Sequence, residues 1–73
     1  MQTLKQRIGK TLRYFREQQM SQTQFAYKSG TTNAAISVVE RGKRGITLSR
    51  LEWYCKCLGI KLSDFFKHME ELE

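Results

Sequence analysis

The chain has 73 residues, of which 40% are hydrophobic, and its 13 Lys and Arg against 7 Asp and Glu give a formal net charge of +6. This length allows one small domain near the lower limit for a self-sufficient core, and the apolar fraction excludes a disordered chain. No apolar run approaches the ~20 residues of a membrane span, and the basic start is not followed by a signal-peptide core, so we expect a cytoplasmic protein.

Apolar residues recur at helical spacing along the whole chain, and neither proline nor a sustained alternation of apolar and polar residues interrupts them. We therefore predict an all-α fold of five helices with short connections, in a single domain over residues 1–73. The first helix covers about residues 3–18. Its expected apolar face consists of Leu4, Ile8, Leu12 and Phe15.

A helix-turn-helix is predicted in the middle of the chain, over about residues 21–41. Ser21, with Gln24 three positions later, is a capping box that begins the second helix, and Gly30 ends that helix. Thr32 caps the third helix. Two short helices joined by a tight turn that contains glycine are typical of this DNA-binding motif.

The outer face of the third helix is unusual for a surface helix. It carries short side chains and no acid, at Asn33, Ala34, Ser37 and Val38, whereas a solvated face ordinarily carries Lys and Glu. A helix that enters the DNA major groove, about 12 Å wide, needs this low relief and no carboxylate to repel phosphate. We therefore interpret these four residues as a base-reading face; Val38 could instead be an isolated exposed apolar residue.

The last two helices follow a basic loop. Thr47 caps the fourth helix, Gly59 ends it, and the last helix covers about residues 62–71. The expected core positions of these two helices are Leu48, Leu51, Tyr54, Cys55, Leu58, Phe65, Phe66 and Met69. We expect Cys57 to be half exposed. Residues two apart on a helix point about 200° from each other, so Cys55 and Cys57 do not predict a metal site.

The positive charge is concentrated in one part of the chain. Residues 1–50 contain ten Lys and Arg against two Glu, whereas residues 51–73 contain three Lys against five acids. The local net charges are therefore +8 and −2. A small domain with this asymmetry is typical of a protein that meets a polyanion, and duplex DNA is the commonest one. The alternative is that the basic residues only provide solubility.

The run MSQTQFAYKSGTTNAAISVVERGKRGITLSRLEWYCKCLGIKLSDFF resembles the lambda-repressor-like (Cro/C1, xenobiotic-response-element) helix-turn-helix family. The matching features are Ser21-Gln22, Phe25-Ala26, Gly30, Ile36-Ser37, Glu40-Arg41-Gly42, Leu58-Gly59-Ile60 and Phe65. The resemblance extends to the small repressors of phages and plasmids and to the controller proteins of restriction–modification systems. It implies a sequence-specific transcriptional regulator that binds a palindromic double-stranded DNA operator as a homodimer. The sequence contains no separate ligand-binding domain, so we expect no cofactor and no small-molecule ligand.

The resemblance also implies roles for individual residues. The base contacts fall to Asn33, Ala34, Ser37 and Val38, and the phosphate contacts to Gln22, Thr32, Arg41, Lys43 and Arg44. Asn33 can pair with adenine through two hydrogen bonds, and Ala34 and Val38 can touch a thymine methyl, so an A·T-rich half-site is favoured.

The resemblance further implies that Arg16 and Glu40 form a pair that ties the first helix to the third. The turn EQQM before the second helix is one residue shorter than the family's and lacks its glycine, which leaves the approach of Arg16 to Glu40 open. Ile46 stands where a proline is common, which implies a less rigid loop or an apolar interface contact.

The expected dimer interface involves the last two helices, with Trp53, Ile60, Phe66 and Met69 as candidates. No constellation of nucleophile, base and orienting acid and no glycine-rich phosphate loop is present, so we do not expect an enzyme. Two alternatives stay open. One is a protein-interaction module of the antitoxin or anti-repressor kind, and the other is a nonspecific nucleic-acid binder that uses charge alone.

Overall fold

A computed structural model describes residues 1–72, and this part of the chain forms five α-helices and no strand. The helices are α1 (Leu4–Glu17), α2 (Gln22–Ser29), α3 (Asn33–Glu40), α4 (Leu48–Leu58) and α5 (Leu62–Glu71). The predicted all-α class and the predicted order of helices are confirmed. None of the helices in the described part is long and apolar enough to cross a membrane.

Side-chain caps mark the start of α1, α2, α3 and α4, whereas Lys61 before α5 makes no side-chain cap hydrogen bond. Ser21 Oγ accepts a hydrogen bond from the Gln24 backbone N–H at 3.1 Å, and Gln24 Oε1 accepts one from the Ser21 N–H at 2.9 Å, so the predicted capping box is present. Thr32 and Thr47 cap α3 and α4 through their hydroxyl groups alone, each of which accepts a hydrogen bond from a backbone N–H at 3.1 Å. Each cap contributes about 1 kcal/mol.

The second and fourth helices end at glycines, as predicted. Gly30 and Gly59 have φ values of 78° and 72°, in the left-handed region that glycine adopts without a steric penalty. The next residue in each case donates its N–H back to the helix, Thr31 to Ala26 O at 2.9 Å and Ile60 to Cys55 O at 3.0 Å. These bonds satisfy carbonyl groups that the end of a helix would otherwise leave unpaired.

All five helices contribute to one hydrophobic core. The members that are at most 2% exposed include one large apolar side chain from each helix: Leu12, Phe25, Ile36, Leu51 and Phe65. The helix α3 packs against both α1 and α2. A Cβ at Gly9 of α1 would lie 2.8 Å from the Glu40 carbonyl oxygen, so only glycine allows α1 to approach the end of α3 this closely.

Three burial predictions were wrong. Leu4 and Leu48, predicted on apolar faces, are 58% and 62% exposed, because each is the first residue of its helix and lies beyond the edge of the core. Cys57, predicted half exposed, is only 7% exposed. The helix α4 packs against both α2 and α5, so its buried arc is wider than the single apolar stripe that the sequence suggested.

Candidate nucleic-acid interface

The helix α3 presents an outer face that is only partly exposed. Asn33 and Ala34 in its first turn are exposed, whereas Ser37 and Val38 are half-buried, and Val38 packs partly against the core. On the inner side, Ile36 is fully buried and Val39 is 3% exposed. The surface offered to a ligand is therefore low in relief and is set directly on the core, which fixes its position.

A buried ion pair fixes the end of α3 against α1. Arg16 Nε and Nη2 donate to the two carboxylate oxygens of Glu40 at 2.6 and 3.0 Å, and both residues are less than a tenth exposed. The short turn after α1 does not prevent this pair, because Arg16 Nη1 also donates to the Met20 carbonyl at 3.0 Å. The turn therefore wraps around the guanidinium and supplies it with a third acceptor.

The helix α2 is tied to the same carboxylate. Gln22, the first residue of α2, donates through Nε2 to Glu40 Oε1 at 3.0 Å and is itself half-buried. Glu40 thus accepts hydrogen bonds from the side chains of both α1 and α2. Because the pair and the amide meet at one carboxylate, Glu40 ties the last turn of α3 to both α1 and α2.

A second contact joins α2 to α3 at the opposite end of the outer face. Asn33 Nδ2 donates to Thr23 Oγ1 at 3.2 Å, and both side chains are exposed. Thr23 had no signal of its own in the sequence. No local pattern could have revealed it, since the two residues are ten positions apart and meet only through the packing of α2 against α3.

Basic side chains lie at the C-terminal end of α3 and in the loop that follows it. Arg41, Lys43 and Arg44 at and after the end of the helix are exposed, and Arg41 Nε donates to the Ser37 carbonyl at 3.4 Å. A shallow depression connects this basic loop to the outer face; it is lined by Thr32, Ala34, Ala35, Val38, Arg41 and Arg44. None of its lining residues is acidic, so it suits an anion.

Two further basic residues, Lys5 of α1 and Arg50 of α4, lie beside the loop between α3 and α4, and sequence reasoning did not select them. A Cβ at Gly45 would lie 3.6 Å from Lys5 Cγ, so the Lys5 side chain lies beside the loop. Arg50, with its guanidinium carbon 5.9 Å from the Tyr54 ring centroid, lines a cavity of about 320 Å³ together with Arg44. Clustering of positive charge in residues 1–50 was the only signal that pointed to Lys5 and Arg50.

The two cysteines lie inside the protein, away from this surface. Burial raises the pKa of the Cys55 thiol to about 11, with a smaller contribution from the nearby carboxylate of Glu52, and burial also raises the pKa of Cys57. Both are therefore protonated thiols near neutral pH, which are poor nucleophiles and poor metal ligands. In residues 1–72 no group of three or more His, Cys, Asp or Glu side chains is arranged to hold a metal ion.

The residues selected for a dimer interface differ in their exposure. Trp53 is 45% exposed, but its Nε1 donates to the Ser29 carbonyl at 2.9 Å, so part of the ring already packs on α2. Ile60 and Phe66 are half-buried. Met69 is only 4% exposed and belongs to the interior, because α5 turns this position toward α1 and α4, so its assignment to a partner contact is corrected.

A partly exposed apolar edge lies between α4 and α5, where Leu48 is exposed and Leu62 and Phe66 are half-buried. Leu48 and Leu62 line a shallow groove with Ser49 and Glu52, and Phe66 follows Leu62 by one turn of α5. Leu48, which we had expected in the core from its spacing, is therefore a surface residue that belongs to this edge. Leu48, Leu62 and Phe66 together form what we call the α4–α5 edge.

Comparison with known proteins identifies relatives of the whole fold. The sequence profile of the helix-turn-helix family HTH_3 matches residues 12–65. The HTH-type transcriptional regulator PuuR of Escherichia coli (strain K12) is 41% identical over 64 residues, which cover 86% of this chain and 35% of that protein. The chain therefore spans about a third of the length of PuuR. The control protein C.MunI of a Mycoplasma species is 34% identical over 73 residues, which cover 97% of this chain and 99% of that protein.

The fold of this chain is similar to that of a solved structure. The restriction–modification controller protein C.Esp1396I, crystallised as a tetramer in complex with its natural 35-base-pair operator, superposes with a TM-score of 0.86 at 29% sequence identity. The match covers 97% of this chain and 95% of that chain.

Proposed function

Since the chain belongs to the helix-turn-helix family HTH_3, we propose that it is a transcriptional regulator that binds double-stranded DNA sequence-specifically, as a homodimer on a palindromic operator. The observation that carries the proposal is the outer face of α3, which is low in relief, free of acid, fixed by the Arg16–Glu40 pair and followed by a basic loop. Such a regulator acts where the DNA is, in the cytoplasm of a bacterial cell.

The bases are read from the first two turns of α3. Asn33 pairs with an adenine through its amide, and Ser37 forms one hydrogen bond to a base edge. Ala34 and Val38 contact thymine methyl groups, and the partial burial of Val38 supports this assignment because it holds the methyl-binding surface rigid. These four contacts favour an operator half-site rich in A·T pairs.

The phosphates are held on both sides of this reading surface. Gln22 lies at the first residue of α2, and Thr32 caps α3, where backbone N–H groups favour an anion. Arg41, Lys43 and Arg44 hold the backbone beyond the other end of α3. Phosphate contacts of this kind fix the register of the protein on the duplex but carry no sequence information.

A homodimer follows from the small size of the reading surface. One helix reads few base pairs, whereas two related by a two-fold axis address half-sites about 34 Å apart. We assign the interface to the α4–α5 edge with Ile60 and the exposed part of Trp53. The exposed apolar area of Leu48 supports this assignment.

Repression by occlusion of RNA polymerase is the simplest outcome of operator binding. The alternative of a restriction–modification controller is supported by the similarity to the restriction–modification controller protein C.Esp1396I and by the match to the control protein C.MunI over nearly its whole length. The protein would perform no chemistry of its own in either role.

Selection from a randomised duplex pool at physiological salt, followed by sequencing of the bound fraction, tests this proposal. We expect a two-fold symmetric motif whose half-sites are one helical turn apart. Retention of DNA without any enriched sequence would indicate a nonspecific binder. No retention of DNA would indicate a protein-interaction module instead.

A further inference from the structure

The contact between Asn33 and Thr23 joins a base-reading side chain to the neighbouring helix. Asn33 Nδ2 lies 3.2 Å from Thr23 Oγ1. Asn33 is the first residue of α3, and Thr23 is the second residue of α2. The hydrogen bond therefore joins the first turn of α2 to the first turn of α3.

A primary amide has enough hydrogen-bonding groups to bind the Thr23 hydroxyl and a base at the same time. It has two N–H donors and one carbonyl acceptor. Recognition of adenine in the major groove requires one N–H for N7 and the carbonyl for the N6 amino group. The bond to Thr23 uses one N–H, so the amide retains a second N–H and the carbonyl, the groups that adenine requires, while the bond restricts the plane of the amide.

Thr23 is well placed to act as the fixed partner. Its β-branched side chain has few rotamers in a helix, so the hydroxyl has little freedom of its own. The start of α2 is held by the Ser21–Gln24 capping box and by the buried side chain of Phe25. Gln22, the first residue of α2, donates to Glu40 instead, and the Gln24 side chain belongs to the capping box.

We propose that Thr23 is a positioning residue for base recognition, which holds the Asn33 amide in the orientation that pairs with adenine. This inference rests on the proposed function. It concerns specificity rather than affinity for DNA in general, because Thr23 acts through Asn33 and only at the base that Asn33 reads. An unbound amide that is already oriented loses less rotational freedom when it meets the base.

The test uses the full chain and the consensus duplex recovered from the randomised pool, together with duplexes that carry a single base-pair change at each half-site position. Asn33→Ala first identifies the position whose preference depends on Asn33. Thr23→Val then removes the hydroxyl and keeps the shape of the side chain, and Thr23→Ser keeps the hydroxyl. Circular dichroism verifies that each variant is folded, which the exposure of Thr23 favours.

We expect Thr23→Val to reduce the preference at that one position by about two- to tenfold, the range that ordering of one side chain allows. Thr23→Ser should retain the preference. Combined with Asn33→Ala, the Thr23→Val change should have no further effect, because the group on which it acts is gone.

Three results would overturn the inference. One is an unchanged preference in Thr23→Val. Another is an equal loss on every duplex with a reduced salt dependence, which would identify Thr23 as a phosphate contact. The third is a loss of preference that persists in the Asn33→Ala background. Failure of the proposed function is distinct from these, because the unaltered protein would then enrich no sequence at all.

Discussion

Removal of one charge at the end of α3 should destabilise the protein more than any comparable change at its surface. Glu40→Gln replaces a carboxylate whose side chain is 2% exposed with an amide of the same shape. The amide offers one acceptor where Arg16 now donates twice, and its N–H₂ group faces the guanidinium. Arg16, whose side chain is 7% exposed, would be left with only one carboxylate contact, the longer one of its Nη2 to Glu17 Oε2 at 4.0 Å, and the Glu17 side chain is 52% exposed.

The expected loss is large relative to the stability of so small a domain. Breaking a buried ion pair by altering one partner costs about 3–5 kcal/mol. A chain of 73 residues has about 4–11 kcal/mol of total unfolding free energy at the usual value per residue. Since 1 kcal/mol shifts the melting temperature of such a domain by about 4–8 °C, Glu40→Gln should lower it by at least about 12 °C.

Thermal and urea unfolding followed by circular dichroism, at one fixed protein concentration, measure this effect. Glu70→Gln is the matched control, because Glu70 makes an ion pair with Arg7 at 3.3 Å but its side chain is 71% exposed. An exposed pair contributes about 1 kcal/mol or less. If Glu40→Gln costs no more than Glu70→Gln, the Arg16–Glu40 pair does not hold α3 in place and the reasoning is refuted.

Three further predictions concern the DNA surface, the subunit contact and the cysteines. Asn33→Ala should relax the preference at one base pair by about 1–3 kcal/mol. Arg44→Ala should instead weaken binding to all duplexes alike and reduce the slope of log K against log salt concentration by about one. Binding titrations at several salt concentrations distinguish the two variants. Leu48→Lys should shift a dimer toward monomer in sedimentation, since Leu48 is 62% exposed in the protomer, and Leu4→Lys, at a similarly exposed leucine of α1, should not. The pKa of Cys55 is raised from 9.0 to about 11, so the stability that its buried thiol contributes is present below pH 9 and is lost as the pH rises toward 11. Urea unfolding across this range should show that loss, and Cys55→Ala should reduce it.

The helix ends were predictable from sequence because their signals are local. Ser21 and Gln24 are three residues apart, and Gly30 closes the same helix, so a short window contains everything that defines α2. Burial is different, because it depends on which other helices cover a position. Leu48 has the right spacing for a core residue but, as the first residue of α4, is 62% exposed. Cys57 is buried because α4 packs against a second neighbouring helix, which a single helical wheel cannot show.

The candidate site was predictable to the extent that it is a face of one helix. Asn33, Ala34, Ser37 and Val38 could be selected together because their spacing places them on one side of α3. The pairing of Arg16 with Glu40 came from the family resemblance, since 24 residues separate the two side chains. Thr23 had neither kind of signal, because its contact with Asn33 arises only from the way in which α2 and α3 pack.

The chemistry of the reading face limits how much specificity direct contacts can provide. Asn33 is its one side chain able to form two hydrogen bonds with a base, and such a pair discriminates by about 1–3 kcal/mol. Two half-sites therefore give about 2–6 kcal/mol of discrimination, whereas the binding free energy of a specific operator is typically about 4–10 kcal/mol more favourable than that of nonspecific DNA. In the proposed complex, the remaining discrimination would come from Ser37, from methyl contacts of Ala34 and Val38 and from the sequence dependence of the energy that deforms the duplex. We therefore expect selected operators to show preferences at base pairs between the two half-sites as well, and uniform base frequencies there would contradict this.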